Sequence, residues 1–224
     1  MWTDRTSALI GEEGLEKLKN SHVAVVGIGG VGGYVCVMLA RAGVGKLTIV
    51  DFDKVDETNI NRQIVATTKT VGEYKVDVMA KMLRDINSNC QVCALKERFN
   101  ENFAKTLFQN HFDFVVDAID SVSDKVELIC FCKQNGIDIV SAMGAGNRID
   151  IPHFEVTDIF KTSNDGLAKV MRKKLREKQV ESLDVVTTTS KALATNGKIG
   201  SISYYPAMCG CVLSGFVINK LLAK

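Results

Sequence analysis

The seven residues Gly27-Ile-Gly-Gly-Val-Gly-Gly33 constrain the fold more than any other stretch of this chain. They follow His22–Gly27 (HVAVVG), a short apolar run that reads as a buried strand, and they lead into Val31–Ala42, which is apolar almost all round and reads as a buried helix. Glycines at a strand-to-helix turn let the backbone approach a phosphate, and the first turn of the helix offers free N–H donors at its positive end. Gly27, Gly29, Gly30 and Gly32 are therefore candidate nucleotide-binding positions. The turn alone does not distinguish NAD, FAD and ATP.

The rest of the first half alternates strand and helix. Strands are expected at Lys46–Asp51, Cys90–Leu95, Phe112–Asp117 and Ile137–Ala142, with helices over Gly72–Asn87, Glu101–Asn110 and Ser121–Asn135. That order predicts a parallel sheet wound with helices, a Rossmann-like α/β fold. After Gly144 the pattern changes. A strand within Arg148–Thr157, a helix over Asp165–Lys178, short β segments at Leu183–Thr189 and Lys198–Ser203, and a closing helix over Pro206–Leu222 suggest that antiparallel strands extend the same sheet. No long linker or repeat divides the 224 residues, so one domain is expected, with a nucleotide-binding half at about 20–143 and a substrate-facing half at about 144–224.

Composition narrows the classes. A net charge of +2 is too small to imply nucleic acid by itself, so any basic surface must be local. Met1–Asn20 has no apolar core of a signal peptide, and Ala207–Leu222 is interrupted by Gly210, Ser214, Gly215, Asn219 and Lys220, which fits a buried helix better than a membrane span. These features lead us to expect a cytoplasmic protein without a membrane partner. Seven cysteines then read as reduced thiols. Cys90 and Cys93 have C-x-x-C spacing, but on a strand they face opposite sides, and no second C-x-x-C is present.

The segment that discriminates between nucleotides is Asp51-Phe-Asp53-x-Val55-x-x-x-Asn59-x-x-Arg62-Gln63, followed by Lys75 and by Asp117-Ala-Ile-Asp120-Ser121. An acid at the end of the second strand, Asp51, is placed for ribose hydroxyls. Hydride transfer gives an Arg, a Lys and a strand-end acid no common task. A triphosphate does: Arg forks onto phosphate oxygens, Lys supplies a point charge, and Asp120 can hold Mg²⁺. Each residue alone would pass for an ordinary surface charge.

Taken together, these motifs resemble the ubiquitin-activating-enzyme-like superfamily, which includes the sulfur-carrier adenylyltransferases. The resemblance spans nearly the whole chain. It implies ATP with Mg²⁺, adenylylation of a carboxylate with release of pyrophosphate, and a homodimer. By position, it assigns Asp51 to the ribose, Asn59, Arg62 and Lys75 to the phosphates, and Asp120 to magnesium, with Asp53, Gln63 and Ser121 beside them. Arg5, in Arg5-x-x-x-Leu9-x-Gly11, matches an arginine that the family lends across the dimer. Arg5, Arg62, Lys75 and Asp120 are thus the candidate catalytic set.

A narrower resemblance, to the tRNA threonylcarbamoyladenosine dehydratases, is carried by Arg5–Gly14, Gly144-Ala-Gly146, Val156–Thr162, Asp165-Gly-Leu-Ala168 and Gly200–Pro206. It implies ATP-dependent cyclisation of the threonylcarbamoyl group on a tRNA adenosine, with no enzyme thioester, and leaves a sulfur-transfer system as a further partner. The chain departs from that family at Gly166, where proline is frequent, and at Val185–Lys191. Lys169, Arg172, Lys173, Lys174 and Arg176 form a stripe of one sign. Such a run is ordinarily a solvated face; beside this resemblance it reads as tRNA-binding. The rival readings are a sulfur-carrier adenylyltransferase, which would be expected to carry zinc cysteines and an acceptor cysteine, and an NAD-dependent oxidoreductase, which leaves Arg62, Lys75 and Asp120 idle.

Overall fold

The computed structural model describes residues 1–224. Its seven strands form one sheet: β1 (His22–Val26), β2 (Lys46–Val50), β3 (Gln91–Leu95), β4 (Phe114–Asp117), β5 (Ile139–Ala142), β6 (Phe154–Asp158) and β7 (Asp184–Thr188). Their order across the sheet is β3-β2-β1-β4-β5-β7-β6. Six strands run parallel, and only β6 is antiparallel, pairing with β7 at the edge. The helices are α1 (Asp4–Asn20), α2 (Gly32–Ala42), α3 (Lys75–Ile86), α4 (Glu101–Leu107), α5 (Val122–Gln134), α6 (Gly166–Glu177) and α7 (Tyr204–Ala223).

Strand side chains alternate between two cores, as the pleat requires. Val23 and Val25 of β1 point into the layer formed with α2, α3 and α7, while Ala24 and Val26 point into the layer formed with α4, α5 and α6. Every β1 residue is buried, which is why Val23–Val26 is continuously apolar rather than alternating. Helix α2 stops at Gly43, whose φ of 102° supplies a left-handed cap. Helix α7 is long and apolar enough to cross a bilayer, but here it packs against α1, α2 and four strands of the sheet.

Two sequence expectations are corrected. Lys198–Ser203 forms no strand: Gly197 at φ 80° breaks the run, and Lys191–Gly200 is exposed, so no face is buried to drive pairing. The Leu183–Thr189 segment does form a strand, but it joins β5 in parallel because α6 carries the chain back across the sheet; antiparallel extension is limited to β6. The polar N-terminal segment is helical. It is kinked at Gly11 (φ 73°, ψ 171°), and its second part docks on α7 through Gly14 and Leu18.

Candidate active site

The strand order reverses between β1 and β4, so the chain leaves the C-terminal ends of these neighbours in opposite directions and opens a crevice there. A cavity of about 770 Å³ occupies that crevice. Gly27 closes β1 with φ 94°, and a Cβ at this position would lie 2.5 Å from the carbonyl oxygen of Ala118. Only glycine fits so close to the β4 loop. Gly29 and Gly30 line the cavity; Gly32 lies beneath it, where a Cβ would come within 1.8 Å of the Gly27 carbonyl oxygen.

Asp51 is fixed on the wall by backbone donors. Its Oδ2 accepts from Ile28 N at 2.6 Å and its Oδ1 from Asp53 N at 2.8 Å. Burial raises its pKa above the ordinary carboxylate value, against the opposing pull of the Lys75 charge. Lys75, at the first position of α3, is buried, and its Nζ lies 2.8 Å from Asp53 Oδ2, while Asp53 itself is half exposed. One ammonium proton is thus committed and two remain for a ligand.

Arg62 is oriented the same way. Its Nη1 donates to the Thr58 carbonyl at 2.9 Å and to Asn61 Oδ1 at 2.9 Å. Both Nη1 protons are used, leaving the three N–H donors on Nε and Nη2 without a protein partner. Gln63 is buried on the same wall, and its Oε1 has no hydrogen-bond partner. The unspent donors of Arg62 and Lys75 fit an anionic ligand such as a nucleoside triphosphate.

Asp120 lies on the opposite lip, exposed, just past the end of β4. No cluster of three His, Cys, Asp or Glu side chains accompanies it. A single carboxylate suits Mg²⁺, which typically takes one or two protein carboxylates and completes its shell with phosphates and water.

The cavity therefore brings together Gly27, Gly29, Gly30, Asp51, Asp53, Arg62, Gln63, Lys75 and Asp120. It leaves out Asn59, Ser121 and Arg5. Asn59 turns its side chain back into its own loop, where Oδ1 accepts from Asp56 N at 3.1 Å and closes a capping box. Its part here is to shape the loop that carries Arg62. Arg5 is exposed on α1 and forms no ion pair or hydrogen bond within its own chain.

Several residues hold positions that the sequence reading did not assign to them. Arg98 grips Asp124, a cavity-lining residue, with two bonds of 2.8 and 3.2 Å. Asp165 caps α6 through Ala168 N and also accepts from Gly144 N at 2.8 Å. Arg148, buried beside the cavity, donates to the carbonyls of Gly144, Gly146, Asn164 and Ser190. The Asp165-x-x-Ala168 spacing is a helix-cap signal; nothing in the sequence marks Arg148, whose partners are all backbone.

The cysteines stand apart. Burial raises the pKa of the Cys36, Cys90, Cys130, Cys132, Cys209 and Cys211 thiols, Cys90 to about 11 and Cys209 to about 12. None of these six is tuned toward a thiolate nucleophile. Cys93 is exposed on the edge strand β3, away from the cavity, while Cys90 is buried.

The family model described as "ThiF family" matches residues 3–224. The chain belongs to the ThiF family. The tRNA threonylcarbamoyladenosine dehydratase of Bacillus subtilis is 38% identical over 237 residues, covering 97% of this chain and 93% of that protein. The protein of the same name from Escherichia coli is 40% identical over 178 residues, covering 78% of this chain and 66% of that one. Solved structures of the E. coli enzyme, one with AMP and one with ATP, superpose with TM-scores of 0.93 and 0.92 at 35% identity, each covering 98% of this chain and 93% of theirs. The seven-stranded mixed sheet is thus the fold of this ThiF-family branch.

Proposed function

We propose that this ThiF-family chain is an ATP-dependent tRNA threonylcarbamoyladenosine dehydratase. The observation that carries the reading is the set of unspent donors on Arg62 and Lys75 in the cavity lined by the glycine turn. Relatives of that name, and a similar structure containing ATP, supply the chemistry.

ATP is a co-substrate, with its triphosphate on the glycine turn and its ribose at Asp51. The carboxylate of the threonylcarbamoyl group attacks the α-phosphorus and pyrophosphate leaves. A nitrogen of the same group then attacks the acyl carbon, AMP departs, and the ring closes with net loss of the elements of water. Arg62 and Lys75 hold the phosphates and offset the charge that builds on them. Mg²⁺ held by Asp120 would neutralise phosphate charge and orient the leaving group. No thiol is required.

Helix α6 faces the tRNA. Its N-terminus lines the cavity at Gly166 and Leu167, and Lys169, Lys173, Lys174 and Arg176 are exposed along it. Arg172 is half-buried and bonds to Thr162, so it anchors the helix to the preceding turn. Arg176 lies over the Phe160 ring at 5.1 Å.

The active form is a homodimer, in which Arg5 completes the neighbouring site. Trp2 and Leu9 expose large apolar surfaces on the same short stretch as Arg5, and Arg5 has no partner of its own. A tRNA substrate fits a cytoplasmic protein, and a sulfur-transfer protein is a further candidate partner.

The test is release of AMP and pyrophosphate from MgATP. Release with tRNA carrying threonylcarbamoyladenosine, and none with a sulfur-carrier protein, is the expected result. The reverse preference would move the chain to the sulfur-carrier adenylyltransferases. For the dimer, mixing Arg5→Ala with Asp120→Asn should restore part of the activity through heterodimers with one intact site. Mixtures as inactive as the separate variants would exclude a role in trans.

A further inference from the structure

Asn61, which neither the cavity nor the phosphate assignments include, makes two hydrogen bonds in opposite directions. Its Oδ1 accepts from Arg62 Nη1 at 2.9 Å, and its Nδ2 donates to the carbonyl oxygen of Ser201 at 3.0 Å. Ser201 lies at the end of the exposed stretch 189–203, which contributes Ala192, Ile199 and Ser201 to the cavity wall. That stretch has no strand or helix of its own. On the substrate side its start is held by Arg148 Nε, which donates to the Ser190 carbonyl at 2.9 Å, and by Asn164 Nδ2, which donates to the Thr189 carbonyl at 3.3 Å, and its middle by Asn147, which donates from N to the Gly200 carbonyl at 2.8 Å and accepts from Gly200 N and Leu193 N at 2.5 and 2.6 Å. The Asn61–Ser201 bond is its one hydrogen bond to the nucleotide-binding half.

From this geometry we infer that Asn61 is a positioning residue that couples the phosphate arginine to closure of the 189–203 segment over the substrate side of the cavity. The inference rests on the assignment of Arg62 to the phosphates. A carboxamide is planar, so the directions of its acceptor and its donors are fixed relative to one another. Phosphate bound at the Nε and Nη2 edge of Arg62 immobilises the guanidinium, including Nη1. The Asn61 plane is then set by Nη1, and its Nδ2 is held toward Ser201. Nucleotide binding thereby restrains a segment whose one hydrogen bond to the nucleotide-binding half runs through Asn61. A segment held to the nucleotide-binding half by one hydrogen bond parts from that half at low cost, so that single bond can shift its population measurably.

The chemistry allows the two bonds to be separated. Asn61→Asp keeps an acceptor for Arg62 but presents oxygen to the Ser201 carbonyl, so only the second bond is lost. Asn61→Leu loses both. Asn61 is exposed, and both variants should fold and melt as the wild type does. Lys191 and Lys198, both exposed within the segment, provide tryptic sites for the readout. With the full-length protein and MgATP, in the absence of tRNA, cleavage after these lysines should slow by about tenfold in the wild type and by less than about twofold in Asn61→Asp. Calorimetry should show that Asn61→Asp still binds MgATP with a Kd within about threefold of wild type, and turnover should fall at nearly constant KM for ATP. Asn61→Leu should lose both protection and some affinity for ATP. Equal protection of Asn61→Asp and wild type would overturn the inference, as would ATP binding to the wild type without any protection. Failure of the wild type to bind MgATP would instead remove the nucleotide assignment on which the inference stands.

Discussion

Lys125 Nζ lies 2.7 Å from Asp117 Oδ2, and neither side chain has any exposed surface. Ser141 Oγ lies 2.6 Å from the same carboxylate oxygen and 3.1 Å from the ammonium, while Asp117 Oδ1 accepts from Ile119 N at 3.1 Å. A buried charge pair adds little net stability, yet breaking it leaves one uncompensated charge in the core. Lys125→Met should therefore destabilise the fold by about 3–5 kcal/mol in urea unfolding. Adding Asp117→Leu should recover much of that loss. A single variant as stable as wild type would show that Asp117 does not depend on this partner.

Asp120 is exposed and unbridged, so changing it should leave stability alone. Asp120→Asn is nearly isosteric but removes the charge that a hard cation needs, and turnover at limiting Mg²⁺ should fall by about a hundredfold or more. Thermal melting should shift by no more than about 2 °C. Wild-type turnover at limiting Mg²⁺ would remove Asp120 from the metal site.

The exposed cations of α6 are predicted to act on RNA through charge alone. Reversing Lys169, Lys173 and Lys174 to Glu should weaken tRNA binding and make log Kd less steep against log salt, by about one unit for each phosphate no longer neutralised. Binding of MgATP should not change. An unaltered salt slope would make the stripe a plain solvated face.

His22 makes the fold sensitive to acid. Its ring is buried 4.4 Å from Phe112, with Nε2 2.8 Å from Thr48 Oγ1. Burial, aided by the nearby Lys46 charge, lowers its pKa to about 4 from an ordinary value of 6.5. Above pH 6.5 folded and unfolded chains are both neutral here, and the stability contributed by this site is fully present. As pH falls toward 4 the unfolded chain takes up a proton that the folded chain refuses, and stability is lost. The melting temperature should drop over that window, and His22→Gln should flatten the drop. Equal slopes for the two proteins would show that other groups govern it.

The nucleotide half was legible because its signals are local. A glycine turn between an apolar strand and an apolar helix leaves few alternatives, and Asp51, Asp53, Arg62, Gln63 and Lys75 follow at spacings that the strand and loop bring to one wall. Asn59 is less plain: its position in the motif points to phosphate, while its carboxamide oxygen closes a turn outside the cavity lining. The second half was harder to read for a different reason. Arg148 acts on four carbonyls, and carbonyls carry no sequence signature. In the first half the Lys125–Asp117 pair escapes for a related reason, since only tertiary packing brings the two charges together and buries them. The direction of β7 was set by the crossover through α6, a property of topology rather than of residues 183–189.

On the proposal that α6 faces the tRNA, the Asp165 carboxylate spans two structures that the substrate would meet at once. One oxygen starts the helix whose cations face outward; the other holds the backbone of Gly144, on the cavity wall. The helix is therefore pinned at the end nearest the chemistry, and each cation along it sits at a set distance from that pin, about 1.5 Å further for every residue. Such a helix works as a gauge. On that proposal, a polyanion lying along it with its reactive base in the crevice would have to match that spacing, and a nucleic acid of the wrong curvature would bind the lysines or fill the crevice, but not both.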